Sequence, residues 1–146
     1  MMKAYDLDRF IKAQEQDYET ALKEIRQGRK RSHWIWYIFP QITGLGLSSI
    51  SQYYAIASME EAKAYMENAY LRDHLLEISK ALLALDSSDP GRIMGYPDDL
   101  KLRSSMTLFA EASPEESVFQ KVLDKYFGGE KDQRTLDILR TEEQHK

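Results

Sequence analysis

The chain has 146 residues, a net charge of −4 and no cysteine. The length fits one domain over residues 1–146, and the absence of cysteine excludes disulfides, thiol catalysis and zinc–thiolate sites and favours a reducing, cytoplasmic location. The acidic balance argues against nucleic-acid binding, and no run approaches the ~18 apolar residues that a membrane span needs.

The first predicted element is a helix from about Leu7 to Gln27, in which apolar residues recur every three or four positions. We expect Asp6 to be its N-cap and Gly28 to end it. Gln14 lies on the apolar stripe, and an amide buried there must form hydrogen bonds. The sequence leaves open whether this amide is structural or lines a site.

The segment His33–Phe39 is a continuous apolar run that Pro40 closes. Its aromatic and β-branched residues favour a strand, yet no second segment offers a strand to pair with it. We therefore predict a short buried helix here. A loop over residues 41–51, which contains Gly44 and Gly46, is expected to follow it.

The rest of the chain predicts further helices and, in total, an all-α fold: a compact single-domain bundle of about six helices with a short buried aromatic segment. Capping boxes at Ser58–Glu61 and Ser113–Glu116 each open a helix, and Pro97 suits the first turn of another. A turn-rich segment over residues 86–95 separates two of them. The other two helices run from about Leu71 to Leu85 and from about Asp132 onward.

The charges are unevenly distributed along the chain. No Asp or Glu occurs from Ile25 to Met59, whereas this segment holds four Lys or Arg residues. The remaining residues carry −8, since this segment contributes +4 to the total of −4. Within it, Gly28–Gln41 joins a basic turn to an aromatic run, which can grip an anion and stack on a base. If Ser32 caps a helix that begins at His33, free backbone N–H groups add anion affinity.

A second cluster lies in the helix that follows Pro97. Asp98, Lys101 and Ser105 share one face of this helix at spacings of three and four residues. Asp98 and Lys101 form either an ordinary surface ion pair or, if Asp98 meets the basic turn across a cleft, part of one pocket. Ser104 and Ser105 are alternatively small residues that let another helix approach closely.

The leading hypothesis is a small-ligand site, with or without catalysis. In this site Arg29 and Lys30 hold the anionic group of a phosphorylated or nucleotide-like molecule, a tryptophan stacks on it, and His33 or Asp98 transfers a proton. Alternatively, the aromatic residues are core and the basic turn is a solvated surface, or this surface docks an acidic partner protein or a second copy of the chain. No cofactor or metal is indicated, because the three histidines are far apart in the sequence. The candidate ligand-binding residues are Arg29, Lys30, Ser32, Trp34, Trp36, Gln41, Lys101, Arg103 and Ser105, and the candidate catalytic residues are His33 and Asp98.

The segments Gly28–Gln41, with Gly44-Leu45-Gly46, and Asp98–Phe109 resemble the signature stretches of domain-of-unknown-function family 1810. Asp6–Phe10 with Ala13-Gln14 resembles the start of the same family. The resemblance covers nearly the whole chain and implies a bacterial, mainly helical, compact single domain of undetermined activity. Some members carry a calpastatin label, although no inhibitory repeat is visible here. The resemblance supplies no catalytic residues.

Overall fold

The computed structural model of the protein describes residues 5–144, which form nine helices and no strand. The predicted all-α fold is confirmed, whereas the predicted number of about six helices is wrong. Within the same residues, no helix is both long and apolar enough to cross a membrane. The helices are α1 (Asp8–Arg26), α2 (Ile35–Ile38), α3 (Ser49–Tyr53), α4 (Met59–Glu67), α5 (Ala69–Leu83), α6 (Pro90–Met94), α7 (Asp98–Ala112), α8 (Ser117–Phe127) and α9 (Gln133–Gln144).

The central helix is α7. It packs against α2, α4, α6, α8 and α9, and its side chains from Leu102 to Ala112 are buried except those of Arg103 and Glu111. A helix that is surrounded by others does not need the polar face of a surface helix. Of the small polar residues in its buried part, Thr107 is satisfied within the fold, since its hydroxyl donates to the carbonyl of Arg103 and accepts from the N–H of Asp132.

A second group of helices is built on α1 and α5. The helix α1 packs against α2 and α5, and α5 packs against α8. The buried stripe of α1 includes Phe10, Ala21 and Ile25. The buried hydrophobic residues of both groups form one continuous cluster. Burial of this cluster is the main stabilising contribution to the fold.

Residues 43–55 form a surface loop whose two ends are tied together. Ile42 and Ile56, both fully buried, pair in an isolated parallel bridge. The N–H of Thr43 donates to the carbonyl of Ile56, and the N–H of Ile56 donates to the carbonyl of Gln41, each at 2.8 Å. The helix α3 lies inside this loop and has no buried residue. The bridge therefore holds residues 41–46 firmly on the body of the protein.

The predicted short buried helix is confirmed as α2, but two predicted loops contain helices. The segment 41–51 includes the start of α3, and the segment 86–95 includes α6. Each helix has five residues and begins at a side-chain cap, Ser48 for α3 and Asp89 for α6. Helices of this length are too short to show the apolar periodicity that identifies a helix in a sequence.

Two predicted N-caps are wrong, and one is confirmed. Asp6 does not cap α1, because Leu7 takes the N-cap position and forms no side-chain cap bond. Ser113 is the C-cap of α7, so that α8 begins only after Glu116. The hydroxyl of Ser58 does accept a hydrogen bond from the first turn of α4.

Candidate functional site

The basic turn that follows α1 encloses a carboxylate of the protein itself. Oε1 of Glu24 accepts hydrogen bonds from the backbone N–H groups of Arg31 at 2.8 Å and Ser32 at 3.0 Å. The same oxygen accepts one from Nε1 of Trp34 at 2.9 Å, and Oε2 accepts one from the Ser32 hydroxyl at 2.6 Å. The backbone N–H groups of Arg31 and Ser32 and the Ser32 hydroxyl, which could have bound an external anion, are thus used within the fold.

These hydrogen bonds determine the charge of Glu24. Burial acts to raise the pKa of this carboxyl, but the bonds from Ser32, Arg31 and Trp34 outweigh burial and lower the pKa to about 2. Glu24 is therefore ionised at neutral pH. The sequence held one signal for this role, since an acidic side chain in the last turn of a helix opposes the helix dipole and needs compensation.

The arrangement corrects the expected roles of four candidate residues. Ser32 and Trp34 bind Glu24, and Trp34 is only 1% exposed, so it is a core residue without a face for stacking. Ser32 also does not cap a helix at His33, because α2 begins at Ile35 with Trp34 as N-cap and no side-chain cap bond. Arg29 and His33 are exposed and do not line the groove described below.

The basic turn and the start of α7 meet at one ion pair. Nζ of Lys30 lies 2.8 Å from Oδ2 of Asp98, and the Lys30 side chain is only 6% exposed. The same ammonium donates to the carbonyl of Ser32 and lies 4.9 Å from the centre of the Trp34 ring. The structure thus brings Lys30 and Asp98 together as a buried contact between the two segments.

Lys101 extends this contact toward the surface. Its Nζ lies 3.5 Å from Oδ1 of Asp98 and 5.3 Å from the centre of the Trp36 ring. Trp36 is half-buried, and its Nε1 is buried without a hydrogen-bond partner in the described part of the chain. One face of Trp36 therefore receives a cation, which is a favourable cation–π arrangement.

A groove of about 320 Å³ lies beside Lys101; we call it the cationic groove. Its size is at the lower end of the usual range for small-molecule sites. The loop 41–46 and α7 supply most of the lining, and the start of α9 supplies the rest. The lining residues are Gln41, Leu45 and Gly46 from the loop, Pro97, Leu100, Lys101, Arg103 and Ser104 from the α7 region, and Asp132 and Arg134 from the α9 region.

The cationic groove has more positive than negative side chains. Lys101, Arg103 and Arg134 face one lining carboxylate, that of Asp132. Arg103 Nη2 is 3.6 Å from Asp132 Oδ1, a long ion pair, and Arg103 Nε is buried without an acceptor among residues 5–144. Asp132 is further engaged because its Oδ2 accepts from the N–H and hydroxyl of Thr135. Arg103 thus has one unpaired donor, Nε, which is shielded from solvent.

Two other candidate residues of this region differ in their placement. Gln41 lines the cationic groove, as a binding role requires. Ser105 has no exposed surface, and its hydroxyl is buried without a partner in the part of the chain that the structure describes. Ser105 therefore cannot contact a ligand in this conformation, because α7 turns it toward the core.

Arg134, which sequence reasoning missed, and the glycines of the loop shape the wall opposite α7. Nη2 of Arg134 donates to the carbonyl of Gly44 at 3.3 Å, and Gly44 has a positive φ of 96°. A Cβ at Gly46 would lie 2.5 Å from Cβ of Ser51, so only glycine fits there. Arg134 is 90 residues from Gly44 in sequence, and no local pattern signals their contact.

Gln14 belongs to a buried structural network. Its Nε2 donates to the carbonyl of Tyr37 at 2.8 Å and to Oη of Tyr65 at 3.0 Å, and its Oε1 lies 2.9 Å from Nδ1 of His74. The His74 ring stacks on Tyr18 with centroids 3.6 Å apart, and burial lowers the pKa of His74. The amide is satisfied inside the fold, which is the structural alternative of the two that the sequence left open.

The chain is similar in sequence and fold to known proteins. The model of a family described as protein of unknown function (DUF1810) matches residues 4–139. The chain belongs to this family. The crystal structure of the conserved hypothetical protein Rv1873 from Mycobacterium tuberculosis is similar to this DUF1810 chain, with a TM-score of 0.91 and 44% sequence identity. The match covers 93% of this chain and 97% of that chain. No curated protein matches the chain.

The resemblance to the DUF1810 family that the sequence motifs indicated is thereby confirmed. The two longest signature segments, Gly28–Gln41 and Asp98–Phe109, are joined in the structure by the contact of Lys30 with Asp98. Gln41 and Lys101, one from each segment, both line the cationic groove. In this DUF1810 chain the family signature therefore includes both core residues and residues that line the cationic groove.

Proposed function

We propose that the protein binds a small anionic molecule, phosphorylated or nucleotide-like, in the cationic groove. The observation that carries the proposal is the convergence of Lys101, Arg103 and Arg134 on one groove with a single lining carboxylate. Lys101 and Arg103 come from α7 and Arg134 comes from α9, and the packing of these two helices positions their backbones before a ligand binds. A phosphoryl group with two negative charges complements this excess of positive charge.

The proposal is binding rather than catalysis. The lining carboxylate that could act as a base, Asp132, is held by Thr135 and Arg103. Asp98 is held by Lys30 and Lys101, so we assign it the role of positioning Lys101. We also propose a bacterial, cytoplasmic setting, which a chain without cysteine suits.

The test is a calorimetric titration of the protein with ribose 5-phosphate, a phosphate ester with two negative charges. We expect Arg134→Ala to weaken binding about 10-fold, because one cation–phosphate contact of roughly 1.4 kcal/mol is lost. Arg134 is exposed and donates a hydrogen bond to the carbonyl of Gly44, so the variant should fold normally.

The matched control is Lys121→Ala, which removes one exposed positive charge of α8 that lies outside the groove. This variant and Arg29→Ala should bind as the unaltered protein does. An affinity that falls equally in Lys121→Ala and Arg134→Ala would contradict the proposal, because only net charge would then matter.

An acidic partner protein is the second candidate ligand. Leu47, Ile50 and Tyr53 are 91%, 38% and 59% exposed on the loop beside the groove, and the segment that contains them has no acidic residue. An apolar surface next to cations suits an acidic protein with apolar side chains. Such a partner would cover Arg134 and compete with ribose 5-phosphate.

A further inference from the structure

The cationic groove also has an apolar part. Leu45, which is half-buried, comes from the loop 41–46, while Pro97 and Leu100 come from the start of α7. Leu100 is 42% exposed even though it lines the groove. We call these three residues the apolar slot. Because its sides come from two separate elements, an apolar group placed between them would lose water contact on both faces.

Exposed apolar side chains are concentrated around this slot. Residues 5–144 include six large hydrophobic residues that are exposed, and five of them lie in the segments 47–53 and 96–100. Leu45 lies two positions before the first segment, and Pro97 and Leu100 lie within the second. Single exposed apolar residues need no explanation, but a cluster beside a groove is typical of a binding site.

The apolar and cationic parts follow each other along α7. Leu100 lies on the first turn of the helix, and Arg103 and Ser104 lie on the next. With a rise of about 1.5 Å per residue, the two parts are separated by roughly 5 to 6 Å along the helix axis. A pentose can bridge such a separation between a phosphate and a ring.

We propose that the ligand is a nucleotide, an organic phosphate that carries a flat aromatic ring, and that the apolar slot holds this ring. The proposal rests on the proposed function, since the phosphate would occupy the cationic part. Neither tryptophan is placed to stack on a ring in this groove, because Trp34 is buried and Trp36 does not line the groove. Leu45 and Leu100 determine specificity for the ring instead.

The experiment compares ribose 5-phosphate with AMP, GMP, CMP and UMP by calorimetric titration of the full chain. Ribose 5-phosphate has the sugar and the phosphate but no ring. We expect at least one nucleotide to bind about 10-fold more tightly than ribose 5-phosphate, which corresponds to about 1.4 kcal/mol. In Leu45→Ala and Leu100→Ala this preference, the ratio of the two affinities, should fall to less than about 3-fold.

Leu47→Ala is the matched control, because Leu47 is two positions from Leu45, is 91% exposed and does not line the groove. It should keep the full preference. If ribose 5-phosphate binds and every nucleotide binds equally well, the apolar slot has no role, although the proposed function stands. If Leu47→Ala loses the preference as Leu45→Ala does, the slot is overturned as well. If none of the five compounds binds, both proposals fail.

Discussion

At the scale of single residues, Glu24 and Lys30 are buried charges with complete sets of partners. Glu24 accepts four hydrogen bonds from the basic turn, and Lys30 contacts the Asp98 carboxylate, the Ser32 carbonyl and the Trp34 ring. A buried charge that loses its partner is strongly destabilising. Both residues are therefore needed for the turn to adopt its conformation, whatever the groove binds.

The first prediction at this scale concerns Glu24→Gln. At neutral pH we expect the variant to lose about 2 to 3 kcal/mol of unfolding free energy, because an amide cannot replace an ionised carboxylate that accepts four hydrogen bonds. Urea denaturation followed by circular dichroism measures this loss. Glu15→Gln, on the exposed face of the same helix, should leave the unfolding free energy unchanged, and equal losses in both variants would contradict the assignment.

The low pKa of Glu24 also predicts a pH dependence of stability. The pKa of this carboxyl is about 2 in the folded protein and 4.5 ordinarily, so its contribution is fully present above pH 4.5 and is lost as the pH falls toward 2. The shift corresponds to about 3 kcal/mol. The difference in unfolding free energy between the protein and Glu24→Gln should therefore shrink across this window, and a constant difference would show that Glu24 is not responsible.

Sequence reasoning offered a contact of Asp98 with the basic turn as one possibility, but it missed Glu24. The partners of Glu24 lie seven to ten residues later in the chain, beyond a turn in which Gly28 has a positive φ of 81°. Hydrogen bonds of this kind depend on the exact backbone path of the turn. That path depends in turn on contacts with α6, such as the bond from the Lys30 N–H to the Ile93 carbonyl.

At the scale of elements, the end of α5 is closed by a side chain from another helix. Nζ of Lys125, in α8, donates to the carbonyls of Leu82 at 3.3 Å and Leu83 at 3.0 Å, and also to that of Leu85. The last carbonyls of a helix have no partner within the helix, and a cation there also favours the helix dipole. Lys125 thus links α5 to α8 by polar contacts as well as by packing.

We predict that Lys125→Met destabilises the protein by about 2 kcal/mol, because a similar apolar stem remains but three carbonyls lose the Lys125 donor, and only that of Leu82 keeps another side-chain donor, the Tyr126 hydroxyl. Thermal and urea denaturation measure the change. Lys121→Met, one turn earlier on the exposed face of α8, should change the unfolding free energy by less than about 0.5 kcal/mol. A loss in Lys125→Met no greater than that in Lys121→Met would show that the three bonds contribute nothing.

Long helices could be predicted from the sequence, whereas short helices and some caps could not. The apolar stripe of α1 and the glycine-terminated α8 follow from local patterns, since amphipathic burial sets their period. The helices α3 and α6 are held by a single cap and by the loop that contains them. Ser113 shows the converse, because the sequence of a capping box is present but the backbone there ends α7.

At the scale of the whole molecule, the net charge is negative, but one segment of the chain carries only positive charges. The segment from Ile25 to Met59 carries +4 and the remainder −8. The four cations of that segment do not form a continuous surface with the groove, because Lys30 is buried against Asp98. An acidic chain with a local cationic groove can bind a small anion, but a long polyanion would also meet its negative surfaces.

This distribution predicts that the protein does not bind single-stranded RNA. At about 0.15 M salt we expect no change in the fluorescence anisotropy of a labelled oligonucleotide, because phosphate contacts along a strand require a continuous basic surface. The control is the same oligonucleotide with a basic RNA-binding protein. Salt-sensitive binding that weakens in Arg29→Ala would contradict the prediction and would show that the exposed basic turn is a nucleic-acid surface.

The candidate site could be predicted only in part. Lys101, Arg103 and Gln41 were identified because they lie in the two distinctive segments, and the structure places all three at the cationic groove. Arg134 and Asp132 were missed because α9 reaches the groove only in the folded chain. The apolar slot was missed for the same reason, since Leu45 and Leu100 are 55 positions apart in the sequence.

The different surroundings of Trp34 and Trp36 provide two built-in optical signals. The chain has two tryptophans. The Trp34 indole donates a hydrogen bond to Glu24 in the core, and the ammonium of Lys101, a groove residue, lies over the Trp36 ring. The emission of Trp34 should follow the unfolding of the core, while that of Trp36 should follow the movement of Lys101 when the groove fills. Replacing Trp36 with phenylalanine keeps the bond from Trp34 to Glu24 and isolates the folding signal, and the difference from the unaltered protein gives the signal of ligand occupancy without an attached dye.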